Sequence, residues 1–165
     1  MERKENLVFA DRVVLVCKRR DGSIKWHYDS KEDPESRSMT KVGMAEVAGL
    51  ILADVGGTPF DYIAIGTGTT TPTADDTALE AEVARKAAVG SRETTAFAND
   101  TAKLVITFSS ADGLTGTHNI SEIGVFNAET GGVMLLRKTF DAKSVNWDDG
   151  DTLEATATVQ MIQGT

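Results

Sequence analysis

Residues 60 to 76 read FDYIAIGTGTTTPTADD, two glycines and a run of threonines placed directly after a short apolar stretch, as in loops that cradle phosphate. A Walker-type loop needs a lysine after its last glycine to reach the terminal phosphates and a hydroxyl beside it to hold magnesium. Here Gly66 and Gly68 are followed by Thr69, Thr70, Thr71 and Pro72, and the next lysine is Lys86. The dinucleotide version needs a third glycine at position 71, where this chain has threonine, and a helix opening on the loop. Threonines followed by proline favour an extended path, so no helix terminus points at an anion. The glycines are expected to allow sharp turns, the threonines to keep the crossover extended, and Asp75 and Asp76 to cap a turn made by TALEAEV.

Other reactive residue types are sparse. His27 and His118 are the only histidines, and no Gly-x-Ser-x-Gly nucleophile elbow occurs. The acidic runs at 74–76 and 147–151 lack the alternating ligand series and terminal glutamate of a calcium loop, so turn chemistry explains them. Cys17, the only cysteine, lies in the apolar run VVLVC and reads as a small buried hydrophobe. No catalytic, cofactor-binding or metal-binding residue is expected.

The elements that carry these residues are mainly strands. Val13–Cys17 is a short Val-rich run. Asp21-Gly22 marks a hairpin, and Ile24, Trp26 and Tyr28 alternate with Lys25 and His27. DSKEDPESRS, broken by Pro34, reads as an exposed loop or arm. From 40 to 54, Val42, Val47, Leu50 and Ile51, with Ala45 and Ala48, recur at helical spacing behind a Thr40 N-cap, and Gly56-Gly57 with Pro59 stops the helix. Strands follow at 60–65, at 84–97 either unbroken or bulged at Gly90, at 103–108, 120–127 and 133–140, and at 153–161, where Leu153, Ala155, Ala157, Val159 and Met161 share one face. About eight strands and one substantial helix predict an antiparallel β-sandwich, Ig-like or jelly-roll-like, over 40–165, with a hairpin and charged arm at 1–39 packing on it or extending from it.

One domain suits 165 residues, and a net charge of -8 repels nucleic acid and anionic lipid, so neither is an expected partner. The cluster Lys18-Arg19-Arg20 reads as a solvated strand end. No stretch approaches the ~20 apolar residues of a membrane span, and MERKENLVFADR lacks a signal-peptide core, which predicts a soluble chain made in a cytoplasm.

Three stretches in order, VGMAEVAGLILADVGGTPFDYIAIGTGTTTPTADDTALEAEVARKAAV, ISEIGVFNAETGGVMLLRKTF and DGDTLEATATV, resemble a family of small virion structural proteins of tailed bacteriophages over roughly residues 41 to 161. The Gly-Thr-Gly-Thr-Thr loop and the Ile-Gly-Val-Phe-Asn strand carry the likeness, and the RRDGSIKW hairpin fits it. The resemblance implies a non-enzymatic particle component made in a bacterial host, with other virion proteins as partners and no residues of catalysis. Within that class an exterior capsid decoration protein comes first and a tail, baseplate or fibre-attachment adaptor second. A homo-oligomer is expected, because symmetric particles multiply modest contacts. Gly66, Thr67, Gly68, Thr69, Thr70 and Thr71, with Glu32, Asp33 and Glu35 of the arm, are the candidate assembly contacts. A carbohydrate-binding sandwich using Trp26, Tyr28 and Trp147 is the alternative from another class, testable by the exposure of those rings.

Overall fold

The computed structural model describes residues 7–33, 39–52 and 56–163. Among these, nine strands form two antiparallel sheets: β1 (Leu7–Lys18), β2 (Ile24–Asp29), β3 (Tyr62–Gly66), β4 (Glu82–Ala87), β5 (Val89–Glu93), β6 (Thr101–Phe108), β7 (Thr117–Phe126), β8 (Met134–Asn146) and β9 (Thr152–Gln163). The orders are β2-β1-β9-β6-β5 and β4-β3-β7-β8. One helix, α1 (Lys41–Leu50), packs against β8. The protein is therefore a β-sandwich, mainly β with a single α-helix among the described residues.

The core follows from strand alternation. Val13, Leu15 and Cys17 of β1 and Leu153, Ala155 and Ala157 of β9 point inward and meet Ile63, Ile65, Ile123 and Val125 of the second sheet. Burying one such leucine or isoleucine contributes roughly 1.5–3 kcal/mol. Cys17 is buried among them, and burial pushes its thiol up to about 11, which makes it an inert filler rather than a nucleophile. The β1–β9 ladder runs without interruption from Leu7↔Gln163 to Lys18↔Thr152.

Two expectations need correction. The segment 84–97 is not one strand: β4 belongs to the four-stranded sheet and β5 to the five-stranded sheet, so the chain changes sheets at Ala88, whose N–H turns to Asp61 O at 2.7 Å. Residues 94–97 leave the ladder, because the buried Asp100 carboxylate accepts the N–H groups of Thr95 and Ala96 at 2.8 Å each and of Phe97 at 3.4 Å. The helix starts as expected, with Thr40 Oγ1 accepting from Gly43 N at 2.9 Å, but it ends at Leu50; residues 53–55 lie outside the described residues. Its apolar face is also barely covered. Only Gly43 is fully buried, placed so close to β8 that a Cβ would lie 2.6 Å from Leu135 Cα, while Val42, Leu50 and Ile51 stay exposed because α1 lies across one end of the sandwich.

The arm is described only at its start. It opens with a short 3₁₀ turn at Ser30–Glu32, and Ser30 is buried, its Oγ accepting from Val13 N at 2.9 Å. The rest of it, residues 34–38 with Glu35, lies outside the described residues. Two strands run longer than their apolar patterns: β7 begins at Thr117 and β8 continues to Asn146, since Lys143–Asn146 pair with Thr117–Ile120.

Candidate functional site

The positions of β3 and β7 that face away from the core are Tyr62, Ala64 and Gly66, and Glu122, Gly124 and Phe126. The crossover 67–81 lies on this face. Leu79 seats on Gly124, where a Cβ would come within 2.9 Å of Leu79 Cδ2, and joins Ala64, Phe126 and Met134 in a second apolar cluster.

Beside that cluster sits Glu122, fully buried. Its Oε1 accepts from Gly68 N at 2.9 Å and Ala81 N at 2.7 Å; its Oε2 accepts from Glu80 N at 3.1 Å and Arg137 Nε at 2.9 Å. A buried carboxylate is tolerable only with such full pairing, since desolvating a lone charge costs several kcal/mol. Arg137 of β8, 3% exposed, spreads outward from there: Nη1 donates to Asp76 Oδ2 at 2.9 Å, and Nη2 donates to Thr70 Oγ1 at 3.2 Å and lies 3.7 Å from Glu80 Oε2. Glu80 Oε2 in turn accepts from Thr69 N, Thr70 N and Thr70 Oγ1 at 2.7, 2.8 and 2.9 Å.

This arrangement answers the phosphate question. The N–H groups of Gly68, Thr69 and Thr70, which would cradle an anion, already donate to the chain's own carboxylates. The loop is an anion nest filled from within.

The glycines serve a purpose other than turning. Neither Gly66 nor Gly68 has positive φ. A Cβ on Gly66 would lie 2.5 Å from both Ala81 O and Glu122 Oε1, and one on Gly68 would lie 2.6 Å from Glu122 Oε1 and 2.5 Å from Glu80 Cβ. They are glycines so that the carboxylate fits. Asp76 likewise does not cap the TALEAEV segment after it; it closes the turn before it, accepting from Thr73 N at 3.1 Å and Thr73 Oγ1 at 2.7 Å. Burial works to raise the Asp76 carboxyl, but the Thr73 and Arg137 hydrogen bonds outweigh it and hold the group below the usual carboxylate range.

The candidate contact residues divide. Gly66 and Gly68 are buried and Thr67 is half-buried, whereas Thr69, Thr70 and Thr71 are exposed. Glu32 is exposed and Asp33 half-buried. The structure brings parts of both groups together: Thr69, Glu32 and Asp33 line one cleft of about 730 Å³ between the β2 and β8 edges, with His27, Asp141 and Lys143. The stacked pair Tyr28 and Phe140, with ring centroids 4.5 Å apart, also lines it. Glu122 and Arg137 escaped the sequence reading. Their signal was a lone acid inside the apolar run SEIGVF and the basic pair Arg137-Lys138 inside MLLRKTF.

The remaining reactive types are committed to structure. Trp147 is 1% exposed and its Nε1 donates to His118 Nδ1 at 3.0 Å; Trp26 is half-buried and donates to Ser144 O at 2.8 Å. The aromatic platform of a sugar site is thus lost at Trp147. In the WDDGD turn, Asp151 Oδ2 accepts from Asn146 N at 2.8 Å and Lys25 Nζ at 2.6 Å, and Asp148 Oδ1 from Gly116 N at 3.0 Å. Among the described residues no group of His, Cys, Asp and Glu has the arrangement of a metal site, and no helix is long and apolar enough to cross a membrane.

Residues 38–162 match the family model described as Podophage GP4 fiber I protein gp80, and the chain belongs to that family of phage virion structural proteins. No curated protein and no solved structure matches the chain.

Proposed function

We infer that the chain is a rigid, non-enzymatic component of the fibre apparatus of a tailed-phage particle. The observation that carries this reading is the Glu122–Arg137 cluster. It gathers the glycine-threonine loop of the first stretch of resemblance with SEIGVF and LLRKTF of the second, and spends their polar groups on holding the fold. The family description favours a fibre position over capsid decoration. Decoration keeps one supporting observation, the net charge of -8, which suits an outer layer held away from packaged DNA.

The partner is another virion protein, and its contact surface is the cleft where Thr69 meets Glu32 and Asp33. With Asp29 and Asp141 also on its walls, against His27 and Lys143, the cleft suits a basic segment of a neighbouring subunit. The test is incorporation. Antibody labelling of particles by electron microscopy is expected to mark the fibres, and labelling confined to the head would return the assignment to decoration. Replacing Thr69 by alanine, or Glu32 and Asp33 by lysine, is expected to reduce incorporation without unfolding the chain; unchanged incorporation of both variants would remove the cleft from the assembly.

A further inference from the structure

One end of the sandwich breaks the usual rule of burial. Between the overhang of the β1–β9 ladder, the inner face of β6 and helix α1 lies a groove of about 490 Å³, lined by Phe9, Val47, Leu50, Leu104, Val159 and Met161. The side chains that continue the groove face are exposed apolar ones, Leu7 at 63% and Ile51 and Leu52 at 79% and 53%, while Val8 and Ile162, paired across β1 and β9, point to the opposite face of that sheet. Phe97, 52% exposed, stands on the loop that Asp100 locks, and that loop is tied to the same end by the bond from Met161 N to Asp100 O at 2.9 Å.

We propose that two copies of the chain meet through this apolar end. The proposal rests on the assembly reading above for its setting and deepens it by naming the homotypic surface. Three observations select a second copy as the occupant. First, hollow and knobs lie side by side on one patch, and a two-fold contact requires a surface that complements itself. Second, the exposed apolar area is on the order of several hundred Å², near the upper end for a monomer and approaching the ~800 Å² per partner of a stable contact. Third, the charges fit. On a chain of net charge -8, the groove rim carries Arg92 and Lys103 against Asp61, with Glu93 3.4 Å from Lys103, so two copies meet here with both signs present rather than like charges opposed.

Sedimentation equilibrium of the full chain from ~1 to ~100 µM tests the proposal. The wild type is expected to show a concentration-dependent dimer. Ile51→Glu and Leu7→Glu, which bring charge into the contact, are expected to raise the Kd at least ~tenfold. Phe97→Ser, at a loop tip, is expected to weaken it less. Urea midpoints of all three are expected to stay near wild type, which separates lost association from lost folding. A wild type that remains monomeric throughout the range overturns the proposal, and so does a dimer that these substitutions leave intact. A monomer whose Ile51→Glu variant fails to join particles also overturns it, by giving the face to a different virion protein. Incorporation of the wild type, measured in parallel, keeps the two readings apart: a monomer that enters particles refutes only this contact, and a dimer found in no particle refutes only the virion role.

Discussion

The face under the crossover 67–81 and the apolar end at α1 break opposite rules of burial. At the first, a carboxylate and a guanidinium are buried, and Glu122 is satisfied from within by three backbone N–H groups and Arg137. At the second, leucines and isoleucines stay exposed, and among the described residues none covers them. The difference teaches where each cost is offset. A buried ion pair must be completed inside the chain that folds around it, since a missing partner leaves a charge desolvated; an exposed apolar patch can wait for a second surface. Substitutions at the first should therefore register as stability, and those at the second as association.

The sharpest way to break this contrast is Glu122→Ala. It leaves Arg137 nearly buried and the N–H groups of Gly68, Glu80 and Ala81 without their acceptor, and should cost about 3–5 kcal/mol in urea unfolding. A loss below about 1 kcal/mol would mean that water or a rearranged Glu80 replaces the carboxylate.

Next come the glycines. Gly66→Ala and Gly68→Ala press a methyl against Glu122, and against Ala81 O or Glu80 Cβ, so a loss of about 1–3 kcal/mol is expected. Gly22→Ala, with positive φ and nothing within 4 Å, is the control for backbone strain without crowding. Equal losses at all three would mean that conformation, not space, selects glycine at 66 and 68.

A smaller effect follows from acid. Asp29 is held down to about 2, chiefly by the Arg12 hydrogen bond, and Asp151 lies below its ordinary range because the bonds from Lys25 and Asn146 outweigh its burial. A depressed carboxyl stabilises the fold fully above its unfolded value near pH ~4 and loses that contribution as pH falls through the folded value. Urea stability should therefore decline from pH ~4 toward pH ~2, and Asp151→Asn should flatten part of that decline. Because Arg12 is half exposed, its pair with Asp29 contributes only a minor share.

The smallest stability effect belongs to the apolar end. Ile51→Ser should move the urea midpoint by an amount equivalent to less than about 0.5 kcal/mol, because the side chain is 79% exposed and loses little packing. A large loss would show that Ile51 is held inside the single chain and would erase the contrast between the two regions.

Local signals decided much of this protein. The Val-rich run with the Asp21-Gly22 turn located the β1–β2 hairpin, period-two alternation located β9, and the Thr40 cap located the start of α1. Each rests on neighbours within a few residues, which a sequence displays directly. What the sequence left undecided was which distant residues share a space. The break at Ala88 depends on which sheet offers a free edge, and the exposure of α1 depends on its resting across an end of the sandwich. Gly66 and Glu122, paired across β3 and β7, show the limit most clearly: a glycine invites a reading by backbone freedom, but only the folded chain sets a carboxylate 2.5 Å from where its Cβ would be. Backbone propensity is a property of neighbours in sequence, whereas excluded volume and buried charge belong to neighbours in space, and those exist only once the sheets have paired.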